Sequence, residues 1–120
     1  MEQRSTMMRT SVDLLQGTLD LIVLKALSWR AMHGFGLARW IQLTTDSVLQ
    51  VEEGSLYPAL YRMENRGWIK ASWALTENGR KAKYYKLTAT GRRQLVLETQ
   101  SWDQLTGAIG KIMATESDLA

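Results

Sequence analysis

The pair Asn78-Gly79 sits between two runs, "WIKASWAL" (68–75) and "AKYYKLTA" (82–89), that are rich in Trp, Tyr, Ile and Leu. Asn-Gly between strand-like runs is a hairpin signal. A lone two-stranded hairpin is marginal in water and has to be packed on something larger. The rest of the chain must therefore supply an apolar surface, and its periodicity says that the surface is helical.

In "SVDLLQGTLDLIVLKALSW", Leu15, Leu19, Ile22, Val23, Ala26 and Leu27 recur at spacings of three and four, the stripe of a helix facing a core. After the break "RAMHGFG", Leu37, Ala38, Trp40 and Ile41 define a shorter helix ending near Thr44 or Thr45. "VEEGSLYPALYRMENRGWI" sets Leu56, Leu60 and Met63 on one side of a third helix, which Gly67 stops as a left-handed cap. Pro58 is tolerated there if the helix begins between Glu53 and Ser55, leaving the proline at or near the first turn. From Gly91 the chain turns helical again. Leu95, Trp102 and Ile109 repeat every seven residues, as do Leu105 and Ile112, which is the spacing of a coiled-coil seam interrupted by Glu98.

A chain of 120 residues with 45% apolar content, five tryptophans and one proline is a folded single unit, long enough for a modest core. The absence of cysteine removes disulfides, thiolate metal sites and cysteine nucleophiles. The longest apolar run, Leu21 to Leu24, is far too short to span a bilayer, and "MEQRSTMMRT" lacks a signal-peptide core. The expected location is the cytoplasm, with no membrane partner and no cofactor. His33, the only histidine, cannot build a metal site without Cys or a carboxylate pair nearby, and reads as a cap or a phosphate contact. Ser47, Ser55 and Ser72 have no second feature that marks a nucleophile, so the chain reads as a non-enzyme.

Three helices followed by a hairpin form the winged helix-turn-helix arrangement. The expected fold is mainly α with a small β-hairpin: a winged helix-turn-helix DNA-binding domain over 1–90 and a C-terminal dimerisation helix and tail over 91–120. The charge supports this. Net charge is +3, and from Thr76 to Arg93 six basic residues, Arg80, Lys81, Lys83, Lys86, Arg92 and Arg93, face Glu77 alone. With Leu56, Leu60 and Met63 inward, Ser55, Tyr61, Arg62 and Asn65 project outward and Tyr57 stands at the flank. Arg62 suits guanine or a phosphate, Asn65 adenine, and the three hydroxyls phosphates, while packing against the wing is an equal reading for Tyr61. Arg80, Lys81 and Lys83 are expected on phosphates beside the groove. The partner is then a double-stranded operator, an inverted repeat if the protein is a homodimer joined through Leu95, Trp102, Leu105, Ile109 and Ile112. A winged helix used only for protein contacts is the alternative, although such a module needs no basic wing.

"LLQGTLDLIVLKALS", "MHGFGLARWIQ", "VEEGSLYPALYRMENRGWI" and "ENGRKAKYYKLTATGRRQL" resemble the successive blocks of PadR-type transcriptional regulators, in particular the short subgroup first catalogued in acidobacteria. The resemblance runs from about Leu14 to Ile112, and its most specific parts are "GSLYPAL" and "RKAKYYKLT". It implies a dimeric repressor whose long C-terminal helix is the main dimerisation element. It also implies control of detoxification or export genes and a response to phenolic acids or hydrophobic compounds. Only one helix follows the wing, as in the short subgroup, so no separate C-terminal ligand domain is expected. Trp102 on the seam would face its twin in a paired chain. Two facing indoles can stack on a flat aromatic effector, and packing of the dimer alone is the plainer reading.

Overall fold

The computed structural model describes residues 16–118. Helix α1 (Gln16–Leu27) is followed by a short strand β1 (Met32–His33), α2 (Gly34–Thr44), α3 (Glu53–Asn65), the strands β2 (Ile69–Leu75) and β3 (Lys81–Leu87), and the long α4 (Ala89–Met113). Leu15, expected on the first helix, lies outside the described residues. The three helices and the hairpin are those read from the sequence, as is the long last helix.

One core joins them. Val23 and Leu24 of α1, Leu37 and Ile41 of α2, Leu56, Leu60 and Met63 of α3 and Ile69 of β2 are its largest fully buried side chains. Each withdraws an aliphatic side chain from water, worth about 1.5–3 kcal/mol apiece. Tyr85 and Leu87 of β3 close the core from the sheet side.

The sheet is antiparallel, with β3 in the middle. β1 was not visible in the sequence: it is two residues long and owes its identity to pairing Met32 with Tyr85 and His33 with Tyr84. His33 caps α2, its Nδ1 accepting a hydrogen bond from the Gly36 amide at 2.9 Å, which is one of the two roles expected for it. β2 and β3 pair from Ile69 opposite Leu87 to Leu75 opposite Lys81. The loop between them spans 76–80, so Asn78-Gly79 is not itself a two-residue turn. Gly79 alone takes a left-handed conformation, at φ +77°, and its amide bonds the Thr76 carbonyl at 2.9 Å.

Both ends of α3 are set by local chemistry. At the C-terminus Gly67 is left-handed. The Trp68 amide reaches back to the Met63 carbonyl and the Gly67 amide to the Glu64 carbonyl, each at 3.0 Å, the double bond pattern that closes a helix. At the N-terminus the helix starts at Glu53, within the bounds expected from the proline, and Pro58 falls in the second turn, just past the first. Its missing N–H frees the Gly54 carbonyl, and Gly54 and Pro58 are both exposed, so water can satisfy that group.

α4 begins one turn before most of its length leaves the domain. Thr88 caps it, accepting from the Gly91 amide at 3.0 Å, and Gly91 is buried against the backbone of Trp68. Leu95 still packs on the core. Beyond it, Val96, Leu97, Leu105, Ile109, Ile112 and Met113 are exposed. Leu95 therefore belongs to the fold of its own chain, which corrects its place in the expected stripe of unburied residues.

Candidate nucleic-acid interface

At 100° per residue, a helix that buries Leu56, Ala59, Leu60 and Met63 turns Gly54, Pro58, Tyr61 and Asn65 to the opposite side. Tyr61 is 69% exposed and Asn65 is exposed as well. Tyr61 thus stands clear of the wing, and the packing alternative considered for it is not realised. Ser55 is half-buried on the flank and does not project as expected. Tyr57 occupies the flank anticipated for it and leans on α2: a Cβ at Gly34 would fall 2.4 Å from its hydroxyl.

Arg62 departs most from expectation. It does not project outward. It lies on the α1 side of α3, where its Nη2 donates to Oδ1 of Asp20. Asp20 is the one charged residue in the core among the described residues. Burial pushes its carboxyl above the ordinary range, with the guanidinium of Arg62 acting in the opposite direction. The geometric reason for the correction is the angle: position 62 falls beside the buried stripe, within reach of α1, and an unpaired buried carboxylate draws the nearest guanidinium.

The wing has two faces. On one, Ile69 and Leu87, then Ala71 and Tyr85, sit at its base over the core, while Trp73 opposite Lys83 and Leu75 opposite Lys81 continue outward. Lys83 is held toward α3, its Nζ 3.6 Å from a Glu64 carboxylate oxygen and over the Tyr85 ring. Burial, with Glu64 and Tyr57 nearby, lifts the Tyr85 phenol above its usual range. On the other face Lys70 stands directly opposite Lys86, both exposed. Arg80 and Lys81 are exposed at the tip. Sequence reasoning missed the Lys70–Lys86 pair as a unit; the two lie equally far from the turn, and that symmetry is the signal that could have found it.

An apolar cleft of about 540 Å³ opens between α1, α2 and α4. Leu21, Ile22, Trp40, Ile41, Leu49 and Trp102 supply its apolar walls, with Lys25 and three threonines, Thr18, Thr45 and Thr99, around them. Trp102 is 43% exposed there. Among the described residues no group of His, Cys, Asp and Glu is arranged to hold a metal ion, and no helix is long and apolar enough to cross a membrane.

Solved structures share this architecture. A transcriptional regulator from Clostridium thermocellum matches with a TM-score of 0.75 at 27% identity, covering 82% of this chain and 96% of that one. A PadR-like transcriptional regulator from Bacillus cereus matches at 0.74 and 28% identity, over 85% and 97%. A PadR family regulator from Eggerthella lenta matches at 0.72 and 28%, over 91% and 93%. An uncharacterized protein of Lysinibacillus sphaericus is 28% identical over 101 residues, 84% of this chain and 93% of its own length. The family model for PadR-like transcriptional regulators covers residues 23–96, more than half the chain, from the second half of α1 through the wing into α4. With the winged helix fold and this match together, the chain belongs to the PadR-like family of transcriptional regulators.

Proposed function

We propose that the protein is a dimeric repressor that reads an inverted-repeat operator with α3 and grips the flanking phosphates with its wing. Regulators of this family are non-enzymatic and bind DNA. The finer reading rests above all on one observation, the wing's Lys70 and Lys86 placed directly opposite each other in an exposed cross-strand pair. Like charges opposed on a sheet repel. A phosphate between them turns that repulsion into attraction and releases condensed counterions. Arg80 and Lys81 at the tip extend the same field, with Lys83 free to leave Glu64 for a phosphate.

On α3, Tyr61 and Asn65 face the groove, Asn65 toward adenine and Tyr61 toward a phosphate or base edge; Ser55 and Tyr57 serve the helix flanks. The exposed Trp102, Leu105, Ile109 and Ile112, with Met113 beside them, are the surface by which two copies pair. The division into a DNA-binding unit over 1–90 and a dimerisation helix over 91–120 follows the same reading. A hydrophobic or aromatic effector that occupied the cleft at Trp102 would relieve repression by moving α4 against α1.

Footprinting on the promoter region of the protein's own gene tests this. Two α3 helices related by a dimer axis protect half-sites about 34 Å apart, roughly 10 base pairs or a multiple of that. An asymmetric footprint over a single half-site contradicts the dimeric reading.

A further inference from the structure

The Asp20–Arg62 pair joins α1 to α3 across 42 residues of sequence. Asp20 is 3% exposed. Arg62 retains 26% of its side-chain exposure, yet its Nε is buried with no hydrogen-bond partner. The guanidinium is therefore turned into the domain and presents only its outer edge. Three elements meet at the carboxylate: α1 carries it, α3 brings Arg62 and Arg66 into its field, and α4 brings Glu98, whose own carboxylate accepts from Gln94 at 2.8 Å.

The remaining contacts of α3 with the core are made by Leu56, Ala59, Leu60 and Met63. Such contacts are non-directional, and the hydrogen bonds from Thr88 to the Gly67 and Trp68 carbonyls hold only the C-terminal end of the helix. A guanidinium on a carboxylate is directional, since the planar fork fixes angle as well as distance. Among the described residues, the only other ion pair of α3 is Glu64 with Lys83, half-exposed at 3.6 Å, and a pair of that kind contributes little.

We infer that Asp20 and Arg62 are positioning residues: their buried ion pair fixes the rotation of α3 relative to α1, so that both set operator discrimination without touching DNA. The inference rests on the proposed role of α3 as the reading helix. A rotation of α3 by a fraction of a turn would carry Tyr61 and Asn65 off the base edges while leaving the wing's basic residues in place. Sequence-specific binding should then fall and general affinity should remain.

The test uses the full chain. A duplex selected by the wild-type protein from a randomised pool serves as operator, and a duplex of unrelated sequence as control. The variants are Asp20→Asn, Arg62→Lys, Arg62→Met and the apolar pair Asp20→Leu with Arg62→Met. The last removes both charges together and so keeps a folded comparison if a single variant unfolds. Affinity for each duplex is measured against salt at a temperature where circular dichroism shows the variant folded. The expected result is a fall of about tenfold in the ratio of operator to control affinity, the size of one lost base contact. It should be similar for the single variants and for the double one, with the salt slope unchanged. Were the pair merely structural, both affinities would fall together with the folded fraction and the ratio would hold. Were Arg62 a DNA contact, Arg62→Met would lower the salt slope by about one and Asp20→Asn would tighten binding to both duplexes. Either outcome overturns the inference. Failure of the wild-type protein to select any sequence would instead sink the reading role of α3.

Discussion

Gly91→Ala should destabilise the domain although alanine is the better helix former. Gly91 is buried in the first turn of α4, and a Cβ built there would lie 2.0 Å from the Trp68 carbonyl oxygen, 2.9 Å from its carbon and 3.1 Å from Leu87. The clash is with backbone, so no rotamer relieves it. The same carbonyl accepts from the Thr88 amide and the Thr88 hydroxyl, each at 3.1 Å, which pins the helix start to the end of α3. Separating the two by an ångström or more forfeits both bonds, about 1 kcal/mol each, and adds overpacking of about 1–3 kcal/mol. The helix propensity of alanine returns about 1 kcal/mol. The net loss is about 2–4 kcal/mol. Urea unfolding at fixed protein concentration measures it, with the midpoint falling and the slope unchanged. Gly107→Ala in the same helix is the control. Gly107 lies off the seam and a Cβ there meets nothing within 4 Å, so this variant should gain about 1 kcal/mol. If Gly91→Ala were as stable as the parent, the close docking of α4 on Trp68 would be wrong.

If two copies pair through α4 as proposed, the parent should be a dimer at tens of micromolar by light scattering and Leu105→Glu with Ile109→Glu a monomer, because both side chains are exposed on α4 and charges there repel across a seam; a monomeric parent or an unchanged dimer contradicts that pairing. Ser47→Gly should raise stability by about 1 kcal/mol by urea unfolding, since Ser47 sits at φ 67° in the loop before α3, a conformation that L side chains enter at a cost. Asp20 should give a pH signature whose sign follows from burial. Its folded pKa lies above the usual value of 3.8, so the folded chain binds the proton more tightly than the unfolded one. The contribution of this group is fully present below the unfolded pKa and is lost as pH rises through the folded pKa. Stability of the parent relative to Asp20→Asn should therefore decline across that window, and a rise with pH would contradict the assignment.

Much of this was legible in the sequence because the signals are local. The α3 stripe of Leu56, Leu60 and Met63, its glycine stop at Gly67 and the hairpin around Gly79 are each written within a few residues of where they act. What stayed hidden depends on partners far along the chain. β1 has no signature because two residues become a strand only when Tyr84 and Tyr85 arrive beside them. Arg62 looked like a reading residue because no carboxylate stands three or four residues from it along its own helix. A clue did exist on the other side: Asp20 shares one helical stripe with Val23, Leu24 and Leu27, all of them buried, and an acid in such a stripe demands a cation from elsewhere. Leu95 was assigned to the dimer stripe because its heptad continues through Trp102 and Ile109, but periodicity records which face is apolar and not where the domain beneath that face ends.

The central claim, that a basic wing holds this protein to the DNA backbone, is tested most directly by salt titration of DNA affinity for the parent and for the variant with Arg80, Lys81 and Lys83 all changed to alanine. The account predicts a steep loss of parent affinity with salt and a slope that shrinks by about one per phosphate contact removed. Affinity for operator and unrelated duplex should weaken alike, since phosphate contacts carry no sequence information. A slope identical in parent and variant would mean that Arg80, Lys81 and Lys83 do not lie on phosphates, which would contradict the account.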